Sequence, residues 1–305
     1  MLARVIRLAG KLLSGRVGQL SGRVGQLSGR VKNLSAENFL RTRILTAQMT
    51  FLQRLVSLSP EESKAASERI LLFWRLLLPR SIDDFQLKRL GPTGDAGYVL
   101  VDDLDGISGV LSLGIGSNND IDYFFAESLG KSVFAYDHTV AKLPKHHPLI
   151  HFRPVGVGSG PKMLGLGEII GREDLGRAAL LMCDVEGSEF DKSFFEGTDF
   201  SVFKQISIEL HGLHELLHED SDGPVFGLLR TVALTHQAVH VHVNNYDALS
   251  HFAGLPVPQT LEVTLVRKRD YSFGQVIQNF PRSFDSPNSS LLPDPHWKFP
   301  NSLNS

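Results

Sequence analysis

Carboxylates, imidazoles and amides gather at three places along this chain. Asp184, Glu186 and Glu189 follow the apolar run ALLMC at 179–183, Glu209 and His211 lie in KQISIELHG at 204–212, and His242, Asn244 and Asn245 lie in AVHVHVNN at 238–245. Such groups suit general acid–base work on a hydroxyl, in which a positioned side chain takes or shares a proton. His211 or His242 is the candidate base. Asp184 and Glu186 are placed to orient an acceptor or a divalent ion, and Glu209, Asn244 and Asn245 to bind the acceptor. Oxygen and imidazole donors would suit Mg²⁺ or Mn²⁺, although no spacing demands either. Plainer roles compete. A carboxylate after a strand often caps the next helix, and a histidine in an alternating apolar strand, such as His240 or His242, is commonly a hydrogen-bonded core residue.

A second set points to a ligand carrying a nucleoside. GVLSLG at 109–114 runs into Gly114-Ile115-Gly116-Ser117-Asn118-Asn119, a small-residue turn that lets backbone approach a ligand closely. Asp137 closes SVFAYD, 23 residues after Gly114, where a carboxylate typically accepts the hydrogen bonds of a ribose diol. The expected cofactor contacts are Gly114, Gly116, Ser117, Asn118, Asp137 and Asp184. Asn119 stands where G-x-G-x-x-G has its third glycine, and no Gly-Lys-Ser/Thr follows, which argues against a triphosphate loop. His214-Glu215-Leu216-Leu217-His218 spells the zinc-protease signature, but EDSDGP cuts it off within two turns. It reads as a short solvated helix beside the cleft.

These residues need a scaffold that brings strand ends together. Seven short apolar runs (109–114, 132–137, 149–155, 179–184, 204–210, 238–245 and 261–268), the first five spaced for crossovers, predict a doubly wound α/β domain. Its sheet is mostly parallel, and ligands bind beyond the carboxyl ends of such strands. A shorter link with Gly254, Pro256 and Pro258 fits an antiparallel hairpin between the last two. Seven strands with a terminal antiparallel pair point towards S-adenosylmethionine enzymes rather than nicotinamide dehydrogenases.

Over roughly residues 85–270 the chain resembles a class I methyltransferase of the FkbM type. The resemblance is carried by RLGPTGDAGYVLVDD (89–103), LSLGIGSNNDID (111–122), FAYDHT (134–139), FRPVGVG (152–158), CDVEGSEFD (183–191), ISIELHG (206–212) and HVHVNNYD (240–247). It implies a Rossmann-like methyltransferase fold and methyl transfer from S-adenosylmethionine, often to a hydroxyl of a sugar, glycan or related natural product. Two residues depart from the pattern: Ser112 where many methyltransferases carry an acid, and Ala96 where the D-G-G-Y entry has its first glycine. The competing reading is a non-catalytic scaffold with this fold, assembled through its N-terminal segment.

That segment differs in charge from the rest. Residues 1–58 hold ten basic side chains and one acid, so a +9 arm precedes an acidic remainder of −11, within a net charge of −2 over 305 residues. Basic arms meet anionic surfaces or remain solvated faces. SGRVGQL at 14–20 recurs at 21–27 and, as SGRVKNL, at 28–34, which sets Leu13, Val17, Leu20, Val24, Leu27, Val31 and Leu34 at heptad spacing. Five glycines, each costing about 1 kcal/mol against Ala in a helix, predict that it orders only with a partner: a second copy, another protein or a membrane surface. No run approaches the length of a spanning helix, and Cys183 alone permits no disulfide. A cytoplasmic protein, peripheral to the membrane where its arm binds, is the resulting expectation. Nucleic acid is not expected, because the globule is acidic and lacks basic clusters with stacking aromatics. The layout is then an arm (1–58), a helical linker (59–84), a catalytic domain (85–275) and an irregular tail (276–305) pinned by Phe280, Phe284 and Trp297.

Overall fold

A computed structural model describes residues 2–218 and 220–299, with side chains at 25, 26 and from 28 onward. Two compact units result, Met1–Thr46 and Ala47–Ser305, so the unit that carries the sheet begins ahead of the charge boundary at 58. The first unit lies within helix α1 (Leu2–Val56), which continues through the repeat despite its glycines. The side chains of Leu13, Val17, Leu20, Val24 and Leu27 lie outside the described residues, while those of Val31 and Leu34 are exposed. No helix among the described residues is long and apolar enough to cross a membrane.

Helix α2 (Pro60–Leu76) starts where its sequence asks it to. Ser59 Oγ accepts the Glu62 N–H at 3.2 Å, and Glu62 Oε2 accepts the Ser59 N–H at 2.7 Å, which closes a capping box over Pro60 in the first turn. Ser59→Ala is expected to lower stability by about 1 kcal/mol, read as a shift in the urea midpoint without a change in slope.

The central sheet has seven strands: β1 (Val110–Leu113), β2 (Val133–Tyr136), β3 (Ile150–Arg153), β4 (Ala179–Cys183), β5 (Phe203–Leu210), β6 (His236–Val243) and β7 (Leu261–Arg267). Across the sheet they run β3-β2-β1-β4-β5-β7-β6, and β7 alone is antiparallel to its neighbours. Alternation along each strand covers both faces. Leu111, Leu113, Leu181 and Cys183 pack against α2 and the helices α4 (Leu166–Arg172) and α5 (Pro224–Thr235). Val110, Val133, Leu180 and Met182 pack with Ile121, Phe125 and Ala126 of α3 (Asp120–Leu129). The α/β reading and its seven strands therefore hold.

Two details differ from expectation. The β6–β7 connection is no simple loop: it folds into its own hairpin, Leu249–Phe252 with Leu255–Pro258. Nor is the tail wholly irregular. Asn279–Phe280 pairs with Trp297–Lys298, and Phe280, Trp297 and Phe299 join Trp74 in one aromatic cluster with ring centroids 4.6–5.7 Å apart. Phe284 stands apart from that cluster, 5.5 Å from the ring of His240. Apolar and aromatic burial supplies what the Pro- and Ser-rich composition conceals.

Candidate functional site

Beyond the carboxyl ends of β1, β2, β4 and β5 lies a cavity of about 500 Å³, within the range of ligand sites. Because β7 is antiparallel it begins at this same end, so Glu262 joins the wall. The lining contains Asp95, Asp122, Asp137, Asp184, Glu186, Glu209 and Glu262, and neither lysine nor arginine.

The turn after β1 forms the floor. Gly114 adopts φ +78°, and a Cβ there would stand 1.6 Å from the Asp184 carbonyl oxygen. Gly116 also has a left-handed φ, +57°, yet a Cβ on it would meet nothing within 4 Å, so the turn leaves open space there. Ser117 and Asn118 extend this wall. Asn119 clamps the turn from below: its side-chain amide donates to the Lys145 carbonyl and accepts the Lys145 N–H, each at 2.9 Å. A third glycine could not make that clamp.

Asp137 lines the cavity, but as a brace. Its Oδ2 accepts the N–H groups of Ile115 and Gly116, both at 2.8 Å, and its Oδ1 accepts the N–H and hydroxyl of Thr139, both at 2.6 Å. Burial pushes this carboxyl up, but these bonds outweigh it and hold it below its ordinary value. A carboxylate has about four acceptor positions, and here the protein uses four. At the place where a ribose acceptor is expected, Asp137 thus also supports the glycine turn.

One carboxylate with capacity to spare is Asp122, on the first turn of α3. It is 1% exposed, lines the cavity, and its Oδ1 has no hydrogen-bond partner. Burial pushes its pKa up to about 7 against the opposing hydroxyl of Ser112. Asp122 thus brings a carboxyl group from the neighbouring helix up to Ser112 of β1. Sequence reading missed it because an aspartate in the first turn of a helix ordinarily answers the helix dipole.

At the β4 and β5 ends the candidates converge. Glu189, fully buried, accepts the Gly187 N–H at 2.8 Å and the His211 N–H at 2.7 Å, and lies 3.1 Å from His211 Nδ1. The opposite ring nitrogen, Nε2, then lies 3.6 Å from Asp184 Oδ1, 3.7 Å from Glu186 Oε2 and 4.0 Å from Glu209 Oε1. Burial lowers the His211 pKa, but Glu189, Glu209 and Asp184 raise it to about 9, so the ring already carries a proton at neutral pH. Burial, with only partial relief from His211, lifts Asp184 to about 6, and its Oδ1 is a buried atom without a partner. Of the two, Asp184 has room for a proton. Glu209 faces Glu262 across β5 and β7 and accepts from Asn244 Nδ2 at 2.7 Å; burial and the charges of Asp184 and Glu262 push it up to about 9.

His242, Asn244 and Asn245 do not reach the cavity. His242 is buried with Nδ1 3.0 Å from Glu262 Oε2 and Nε2 3.2 Å from Asp294 Oδ2. Burial lowers its pKa, but those two carboxylates raise it to about 10, so no nitrogen is free to take a proton. Asn245 Nδ2 donates to the carbonyls of Ser289 and Leu292 at 2.9 and 2.8 Å, and Asn245 Oδ1 accepts the Ser289 N–H at 2.7 Å. The expectation of a base at 242 and acceptor contacts at 244 and 245 is corrected: His242 and Asn245 bind the tail, and Asn244 positions Glu209.

The zinc-protease pattern does not assemble. Residues 213–217 form a single 3₁₀ turn, and His214 Nε2 lies against Glu215 Oε1 at 3.0 Å. Ala96 takes φ +63°, a left-handed conformation that glycine adopts more readily than alanine. Tyr98 and Glu262 complete the wall and were not foreseen. The antiparallel start of β7 was the available signal for Glu262.

No protein-family model matches the chain, and neither a curated protein nor a solved structure matches it.

Proposed function

We propose that the chain is an S-adenosylmethionine-dependent methyltransferase acting on a hydroxyl of a carbohydrate, glycan or related polyhydroxylated acceptor. One observation carries the reading: a glycine-floored cavity at the strand ends is walled by seven carboxylates and no lysine or arginine. Such a wall has no lysine or arginine to pair with a phosphate, and so disfavours dinucleotides and nucleoside triphosphates, while its ionised carboxylates favour a ligand bearing positive charge even with Glu209 protonated. Insertion of antiparallel β7 between β5 and β6 supports the class I methyltransferase resemblance over the dinucleotide-binding order of six parallel strands.

The residues present fit the cofactor. Gly114, Gly116, Ser117 and Asn118 offer backbone at the floor, the space above Gly116 is open, and the unpartnered Asp122 oxygen can accept from an ammonium group. When bound, S-adenosylmethionine supplies an electrophilic methyl group on a sulfonium. The chain's own task is to align an acceptor oxygen and remove its proton. Asp184, like Asp122, has an unpartnered oxygen on the wall, and the His211 ring lies beside it at 3.6 Å. Glu186 and Glu209 add acceptors for hydroxyl groups.

Calorimetry on the full chain tests this. Micromolar binding of S-adenosylmethionine and S-adenosylhomocysteine, with labelled methyl transfer to glycan acceptors, is expected. A folded chain that binds neither would overturn the enzyme reading and leave the scaffold.

A further inference from the structure

We propose that Asp184, Glu186 and His211 form a binding site for a divalent cation of the Mn²⁺ type. Among the described residues, these three offer ligand atoms that all lie within 4.8 Å of one another. Cations with bonds of about 2.0–2.6 Å can touch atoms spaced in this way at once.

Three features set this group apart from an ordinary ion-pair cluster. The first is the orientation of the imidazole. Glu189 is fully buried and takes the Nδ1 side of the ring at 3.1 Å, while also accepting the backbone N–H of the same residue at 2.7 Å. A ligating histidine is ordinarily held through its other nitrogen by a carboxylate in this way, so an ion that displaces the Nε2 proton meets a ring already aimed at it. The second is Asp184 Oδ1, a buried oxygen with no hydrogen-bond donor, 3.6 Å from that Nε2. A buried acceptor without a donor is costly unless something outside the chain satisfies it. The third is access. Asp184 and Glu186 line the cavity, and Glu186 is 86% exposed, so the remaining coordination positions open towards solvent and ligand.

The donor set narrows the metal. Two carboxylates and one imidazole with open positions suit Mn²⁺ better than Ca²⁺, which prefers six to eight oxygens, or structural Zn²⁺, which closes four protein ligands. Cation binding stands independently of the proposed methyl transfer.

The test uses the full chain without S-adenosylmethionine. MnCl₂ is titrated by calorimetry, and the free hexaaqua Mn²⁺ signal is followed by electron paramagnetic resonance. One ion per chain with micromolar affinity is expected. Glu186→Gln, at an exposed position that leaves the fold intact, should weaken binding at least tenfold, and His211→Ala should abolish it. Glu189→Gln should weaken binding at least tenfold without touching the ion. Absence of binding to the folded native chain, or equal affinity in native and Glu186→Gln proteins, would overturn the site. Because S-adenosylmethionine binding is measured separately, failure of the cation site leaves the methyltransferase reading standing, and the reverse also holds.

Discussion

Gly114→Ala is expected to destabilise the chain by about 3–5 kcal/mol and to eliminate ligand binding, the largest stability effect of any single methyl group added to the cavity floor. Two costs combine. The left-handed φ of +78° is poorly tolerated by a residue with a Cβ, at about 1–2 kcal/mol. The new carbon would also stand 1.6 Å from the Asp184 carbonyl oxygen, a backbone atom at the end of β4 that no rotamer change can move. That carbonyl's residue is itself held in register, because its N–H donates to the Leu113 carbonyl at 2.9 Å. The clash is therefore relieved only by parting β1 from β4 at the ends that carry the site. Gly116→Ala is the control, since its Cβ meets nothing within 4 Å. It should cost only the backbone term, about 1 kcal/mol, and leave a folded chain. Urea unfolding of both variants checks the pair, and equal stability of the two would refute this account of the floor.

The same turn shows what a sequence discloses and what it withholds. Gly114 and Gly116 are legible because a strand that ends in small residues has few other uses. The seven strands are legible for a similar reason, since burial on both faces imposes short, almost wholly apolar runs. Asp137 is legible as a residue of the cavity wall, but nothing in its spacing reveals that Thr139, two residues on, occupies half of its acceptor capacity. His242 fails for a longer-range reason. Its partner Asp294 lies 52 residues away in a segment whose proline-rich composition signals irregular structure. Long-range polar pairing leaves no periodic trace. His211 was readable because strand ends collect at one edge of a parallel sheet, but its charge state depends on Glu189, whose burial only the folded turn determines.

Asp122→Asn is expected to move stability and ligand binding in opposite directions. In the folded chain burial holds this carboxyl at about 7, against an ordinary value of 3.8. A carboxyl with a raised folded pKa binds protons more tightly in the native state than in the unfolded one, so stability falls as pH rises between the two values. Here the window runs from about pH 4 to pH 7, and at 1.36 kcal/mol per unit the loss across it is roughly 4 kcal/mol. The asparagine cannot ionise, and its amide can still face the Ser112 hydroxyl. Asp122→Asn should therefore be the more stable protein at pH 8 and lose its advantage by pH 4. Asp184 and Glu209, also raised, leave a residual slope in both proteins. Binding should change the other way. An ionised, unpartnered oxygen on a cavity wall is worth about 1.5–3 kcal/mol to a cationic donor, so S-adenosylmethionine affinity should fall ten- to hundred-fold. Thermal unfolding between pH 4 and 8, with calorimetry at pH 8, reads both. A purely structural Asp122 would instead lose stability at pH 8 on substitution, and its ligand affinity would follow the folded fraction alone.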